Sequence, residues 1–263
     1  MTTLPLPKRA LLALSIILAT GVLLRAQSTE TYKPVVGQAG KDVVWVPTPQ
    51  ALVDTMLDMA KVTPQDLLMD LGSGDGRTVI TAAKRGVRAI GVEYNPDMVN
   101  LSRNAAATEK VTERASFVQA DLFKTDLSKA TVITMFLLPT INMQLRPTLL
   151  NLKPGTRVVS NTFHMEDWQP DDRRTIGPEG CSSWCTAMMW IIPAKAQGTW
   201  RMPQGTLTIT QTFQMITGTL GSTPINGKLN GDQIEFTAAS TKYTGRVNGA
   251  MIQGTNWTAT RVN

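Results

Sequence analysis

Between residues 43 and 193, short apolar runs alternate with stretches of helical character. LLMDL at 67–71 reads as a buried strand, residues 72–76 as a turn, and 77–85 as a helix. A second strand is expected at 87–94. Pro96 suits the first turn of a helix that runs to about Thr108. Further strands are expected at 115–120 and 131–138. A helix at 140–152, closed by Lys153-Pro154-Gly155, separates them from strands at 157–163 and 186–192. Strand–helix alternation calls for crossover connections, hence a mostly parallel sheet with helices on both faces.

The pattern changes after residue 194. LTITQTFQM at 207–215 alternates with the period of a half-buried strand. Asn226-Gly227, Asn230-Gly231 and Asn248-Gly249 are turn signals, some of which should close hairpins. GKLNGDQI at 227–234 recurs at 245–252 as GRVNGAMI. Residues 195–263 therefore read as an antiparallel β-meander curled into a small sandwich or barrel. At the other end, Lys8 and Arg9 precede an uncharged run at 10–24, too short for the ~20 residues of a membrane span. Residues 1–26 read as a signal peptide, with a retained anchor as the alternative, and 27–42 as a linker. The domain at 43–193 is thereby expected to be exported or membrane-anchored, a cytoplasm-facing anchor staying open.

The chain has 263 residues and a formal charge of +6. That charge is not spread evenly: residues 1–26 carry +3, 27–193 carry −1 and 194–263 carry +4. The positive charge sits at the two ends, so a nucleic-acid partner is disfavoured. One His and two Cys exclude multi-His and four-Cys metal sites, and no metal is expected.

Parallel sheets take ligands beyond the C-terminal ends of their strands. There the first strand runs into Asp70-Leu71-Gly72-Ser73-Gly74-Asp75-Gly76-Arg77. Glu93 ends the second strand, where a carboxylate can take both hydroxyls of a ribose. Asp121 ends the third, where it can reach an adenine amino group. A dinucleotide would set its pyrophosphate against Asp70 and Asp75, and like charges at close range are costly. S-adenosylmethionine carries an ammonium and a sulfonium and no phosphate, so Asp70 and Asp75 favour it. A helix-capping role would account for Asp70 alone, not for Glu93 and Asp121.

With these residues in place, the domain resembles a class I S-adenosylmethionine-dependent methyltransferase. More narrowly, it resembles the small lysine methyltransferases that act on the mitochondrial ATP synthase c-subunit and adenine nucleotide translocase, and their bacterial relatives. The matching pieces are Val46-Pro47-Thr48-Pro49, the glycine loop at 70–77, Gly91 to Pro96, Asp121 to Lys124, Phe136 to Pro139, Val158-Val159-Ser160, Phe163 and Trp168. The resemblance implies a Rossmann-like α/β fold and cofactor contacts at Thr48, Asp70, Gly72, Gly74, Glu93 and Asp121. It also implies lysine N-methylation of a protein substrate, with membrane association left open. A small-molecule methyltransferase, or an exported binding module with a catalytically idle cofactor fold, are the alternatives. Export and a cofactor made in the cytoplasm pull in opposite directions.

No catalytic base is forced by the sequence. Phe136 to Pro139 would flank the transferred methyl. Asn161 and His164 follow the fifth strand and are the base candidates, His164 reading first as a loop residue. Cys181 and Cys185 are expected as unpaired thiols, because pairing four residues apart needs a particular turn.

Overall fold

The structure, a computed structural model, describes residues 32–262 and Thr2. From Lys33 onward the chain forms one compact unit, Lys33–Asn263. The expected signal or anchor at 1–26 lies outside the described residues save Thr2, as does the start of the 27–42 linker. Among the described residues no helix is long and apolar enough to cross a membrane.

Among the described residues the first part comprises α1 (Gln50–Met59), β1 (Leu67–Leu71), α2 (Arg77–Lys84), β2 (Arg88–Glu93), α3 (Pro96–Thr108), β3 (Ala115–Gln119), β4 (Val132–Met135), α4 (Pro139–Leu149), β5 (Arg157–Asn161), β6 (Asp172–Thr175) and β7 (Thr186–Ile191). The sheet order is β3-β2-β1-β4-β5-β7-β6. β1 to β5 run parallel, β7 is antiparallel to β5, and β6 is antiparallel to β7. This is the mostly parallel α/β sheet expected from the alternation. β6 was not legible: DRRT is short, polar and nearly all exposed, so it carries no strand period.

Alternation along each strand builds two cores. Leu68, Val132 and Val159 face α1, α2 and α3, with Leu52, Val79 and Val99 packed over them. Met69, Ile133 and Val158 face the opposite way, toward Ile141, Leu145 and Leu149 of α4. The second face has α4 as its helix. The rest of its cover comes from Trp168, in the β5–β6 connection, and from Phe213 of the C-terminal module.

That module is a closed eight-stranded barrel: β8 (Gly198–Met202), β9 (Gly205–Thr212), β10 (Met215–Leu220), β11 (Thr223–Asn230), β12 (Gln233–Ala238), β13 (Thr241–Asn248), β14 (Met251–Gly254) and β15 (Thr258–Arg261). Neighbours pair antiparallel, and β15 pairs with β8 to close the ring, which leaves no edge strand exposed. Its interior is filled by Trp200, Ile209, Ile234, Phe236, Ile252 and other apolar side chains. Asn230-Gly231 and Asn248-Gly249 do make hairpin turns.

Asn226-Gly227 does not; it lies inside β11. The reason for the glycine is a close approach, since a Cβ at Gly227 would fall on the Glu235 carbonyl oxygen of β12. Gly227→Ala is therefore expected to destabilise the barrel by about 1–3 kcal/mol, because the colliding atom is backbone and cannot swing away. Thermal unfolding checks this, and an unchanged midpoint would contradict it.

The turn between β9 and β10 joins the barrel to the sheet. Phe213 stacks on Trp168 with ring centroids 5.6 Å apart. The Trp168 indole N–H donates to Gln214 Oε1 at 2.8 Å, and Gln214 Nε2 donates to the Gln169 carbonyl at 2.8 Å. The Arg146 guanidinium of α4 lies 5.3 Å from the Phe213 ring centroid.

Candidate active site

The C-terminal ends of β1, β2, β3 and β4 open into one cleft. Thr48, Asp70, Gly72, Gly74, Asp75, Glu93 and Asp121 all line it, although they come from separate connections and the segment before α1. Register explains the convergence: Asp70 is paired with Gly91 of β2 and Thr134 of β4, near the ends of three adjacent parallel strands.

The loop after β1 is fixed by its neighbours. The Gly72 and Ser73 amides both donate to the Val92 carbonyl, at 2.9 and 3.1 Å. Gly74 and Gly76 hold left-handed backbone, with φ of +54° and +79°. A side chain at Gly74 would run into the Trp45 indole, and one at Gly76 into the Phe117 ring and Ser102. Glu93 braces two loops at once: Oε2 accepts from the Gly74 amide at 3.0 Å and Oε1 from the Asn95 amide at 2.9 Å.

Asp70 is buried and caps no helix; α2 has Gly76 at its N-cap and no side-chain cap. Its Oδ1 accepts instead from the Thr134 hydroxyl at 2.6 Å. Loss of water around it, with the nearby Asp75 and Glu93 charges adding to the effect, pushes its pKa up to about 7. Thr134 opposes that rise but does not cancel it. Ser73 Oγ is buried against Gly91 of β2 without a hydrogen-bond partner.

Asp75 differs from expectation. It lies in the wall, but its carboxylate is taken by Arg77, with Nε at 3.0 Å from both oxygens and Nη2 at 2.6 Å from Oδ2. Arg77 is two residues further on and reaches back while Nη1 donates to the Thr48 carbonyl at 2.9 Å. Asp75 is thus a paired charge that fixes the loop to the Thr48 segment, not a free one awaiting a cation.

Asp121 accepts from the Phe123 amide at 3.0 Å and from Lys41 Nζ at 3.1 Å. Those two bonds, the amide first, hold its carboxyl below the usual range. Lys41 also stands 5.3 and 5.8 Å from the ring centroids of Tyr94 and Phe123. Sequence reasoning reached Thr48 but missed the residues ahead of it. Residues 38–47 straddle the expected linker and the expected domain start, yet they line the cleft throughout, with Trp45 against the glycine loop. The signal available was the apolar run VVWVP at 43–47, directly ahead of α1.

Met135, Phe136 and Leu137, at and beyond the end of β4, close the far side of the cleft. Neither base candidate lines it. Asn161 is fully buried behind Thr48, donating from Nδ2 to Thr48 Oγ1 at 3.3 Å. His164 is exposed, and its Nδ1 accepts from the Glu166 amide at 3.1 Å in a local turn.

Cys181 and Cys185 are bonded to each other, contrary to the expectation of free thiols. Trp184 supplies the turn that the spacing alone did not announce: its φ is +54°, and the two Cα atoms come within 5.6 Å.

The model of the ANTKMT methyltransferase domain family matches residues 70–172, from Asp70 to the start of β6. A protein-lysine N-methyltransferase of Saccharolobus islandicus is 47% identical over 133 residues, covering 49% of this chain and 83% of the relative. A lysine N-methyltransferase of the ATP synthase c-subunit from Xenopus laevis is 34% identical over 165 residues, covering 62% of this chain and 72% of the relative. A solved RNA methyltransferase of Salinibacter ruber, in complex with S-adenosyl-L-homocysteine, superposes with a TM-score of 0.52 at 47% identity, covering 57% of this chain and 95% of that one. The residues of the cleft fit such a cofactor: a buried carboxyl at Asp70 that a cation would ionise, and acids at the ends of β2 and β3. The chain belongs to the ANTKMT methyltransferase family and is an S-adenosylmethionine-dependent methyltransferase.

Proposed function

We propose that this enzyme is a protein-lysine N-methyltransferase. The observation that carries the reading is the 47% identity to a protein-lysine N-methyltransferase across 83% of that relative's length. The chemistry of the cleft supports it. S-adenosylmethionine, when bound, supplies a methyl group on a sulfonium that is already activated for in-line transfer to a nucleophile. The chain must then bind, orient and exclude water. Asp70 would hold the cationic end directly or through water, Glu93 the ribose hydroxyls and Asp121 the adenine amino group, with Thr48, Gly72 and Gly74 in close backbone or hydroxyl contact. Phe136 and Leu137 line the cleft with apolar surface. An amine brought against them loses water, which lowers its pKa and favours the neutral, nucleophilic form. Asn161 and His164 are thus not needed as bases, since the amine proton can leave to solvent.

The −1 charge of residues 27–193 favours a protein acceptor over an RNA. The Cys181–Cys185 bond supports an oxidising compartment for the domain, exported or anchored through residues 1–26. Cell fractionation with thiol trapping tests that placement; a wholly cytoplasmic, reduced protein would contradict it.

Two results are expected of the enzyme. Incubated with methyl-tritiated cofactor and cell extract, it should leave label in methyl-lysine after acid hydrolysis. Label in nucleotides or in another side chain would overturn the lysine reading. Cofactor affinity should also depend on pH with a defined sign. With Asp70 titrating at about 7, the free protein is protonated there below pH 7, and binding a cation must expel that proton. Affinity then rises by up to about tenfold per pH unit until pH 7, and levels off until the ligand's own α-amino group titrates near about 8. Calorimetry in two buffers of different ionisation enthalpy counts the proton; a flat profile from pH 5.5 to 7.5 would contradict the assignment.

A further inference from the structure

Three aromatic rings, on three different connections, meet beside the cleft. Phe136 follows β4 and lines the cleft itself. Phe163 follows β5 and stacks on Phe136, with centroids 5.9 Å apart. Trp184, from the β6–β7 connection, leans against Phe136 from another side at 6.0 Å. Each of the two outer rings is held by constrained backbone. Thr162, a β-branched residue with φ of +59°, turns the chain so that the Phe163 amide donates to the Asn161 carbonyl at 2.7 Å. The Ser160 hydroxyl donates to the Phe163 carbonyl at 2.7 Å. Trp184 sits in a five-residue ring closed by the Cys181–Cys185 bond, again in left-handed backbone, and remains 43% exposed.

A single exposed tryptophan is ordinary on a protein surface. A tryptophan held by a covalent loop and a strained φ, against a ring that lines the ligand cleft, is not explained by packing, because much of it stays in water. Its exposed surface suits a partner that brings an apolar stem and a cationic tip. Aromatic faces attract ammonium groups, and their flat surfaces cover methylene chains.

We propose that Trp184 is the outer wall of the methyl-acceptor channel, on which the stem of the incoming lysine lies, and that the Cys181–Cys185 bond positions it. Phe136 continues the wall inward to the cleft, with Phe163 stacked on it. This inference rests on the lysine reading of the same site. It assigns acceptor recognition to a loop that lies beyond the segment matched by the family model.

The test uses the full chain with tritiated S-adenosylmethionine and a lysine–alanine copolymer as acceptor probe. Trp184→Ala should raise KM for the copolymer roughly tenfold, the scale of one lost contact between the stem and the ring, while kcat and cofactor affinity stay within about threefold. Trp184→Phe should recover most of the loss. The double variant Cys181→Ser, Cys185→Ser should show the same KM rise with the tryptophan present, a result that simple loss of the ring cannot mimic. Circular dichroism melts of each variant confirm that the comparison is between folded proteins. Label in lysine with equal KM for wild type and Trp184→Ala overturns the wall. Label absent from lysine overturns the lysine reading, and this inference with it.

Discussion

Asp70→Asn should lose at least about thirtyfold in cofactor affinity and yet melt at a higher temperature than the wild type above pH 7. The two effects share one cause. Asp70 is a carboxyl that the fold has stripped of water and set beside Asp75 and Glu93, with its pKa pushed up to about 7. Its value in the unfolded chain is about 3.9. Between about pH 4 and 7 the folded state therefore holds a proton that the unfolded state has lost, and stability from this group falls as pH rises. Above pH 7 the folded protein bears the full cost of a buried charge, on the order of 2–4 kcal/mol. Asparagine keeps an acceptor for the Thr134 hydroxyl and removes that cost. It also removes the charge that meets a cation, and losing one partner of a buried charge pair costs about 2–5 kcal/mol of binding. Titration calorimetry and melts at pH 6 and 8 check both halves. Unchanged affinity would show that Asp70 is only a structural acid.

Trp168→Ala should destabilise the whole of Lys33–Asn263, by about 3–5 kcal/mol. The side chain is fully buried between Trp190 and Phe213, and it donates to Gln214 across the junction with the barrel. Truncation leaves a cavity on the sheet face that α4 does not cover, and leaves Gln214 Oε1 without its donor. Because that face is shared, sheet and barrel should lose stability together. Denaturant unfolding followed by near-ultraviolet signal measures this; a sheet domain of unchanged stability would mean that the barrel is merely tethered. The result would also give the barrel a role, which composition and motif did not: its β9–β10 turn completes the core of the cofactor domain.

The parts of this molecule that repeat a period were legible in the sequence. Leu67–Leu71 and its parallel neighbours are apolar on both faces because helices and loops cover both, and that reads directly as a buried strand. The acids at positions 70, 93 and 121 were legible because strand ends in a parallel sheet share one edge. Three features were not legible, each for a physical reason. Asp75 looked like a free charge, and only the fold shows Arg77 turned back on it. Lys41 comes to the cleft by a path that no local pattern encodes. The Cys181–Cys185 bond depends on a left-handed tryptophan, a conformation that sequence statistics argue against.

That Asp70 is the buried counter-ion of a cationic cofactor is tested most directly by carbon-13 NMR of its side-chain carboxyl, titrated from pH 4 to 9 in the free and saturated protein. The expected result is a midpoint of about 7 in the free protein that drops by about two units or more when S-adenosylmethionine is bound. A midpoint in the ordinary aspartate range, or one that the cofactor leaves in place, would contradict it.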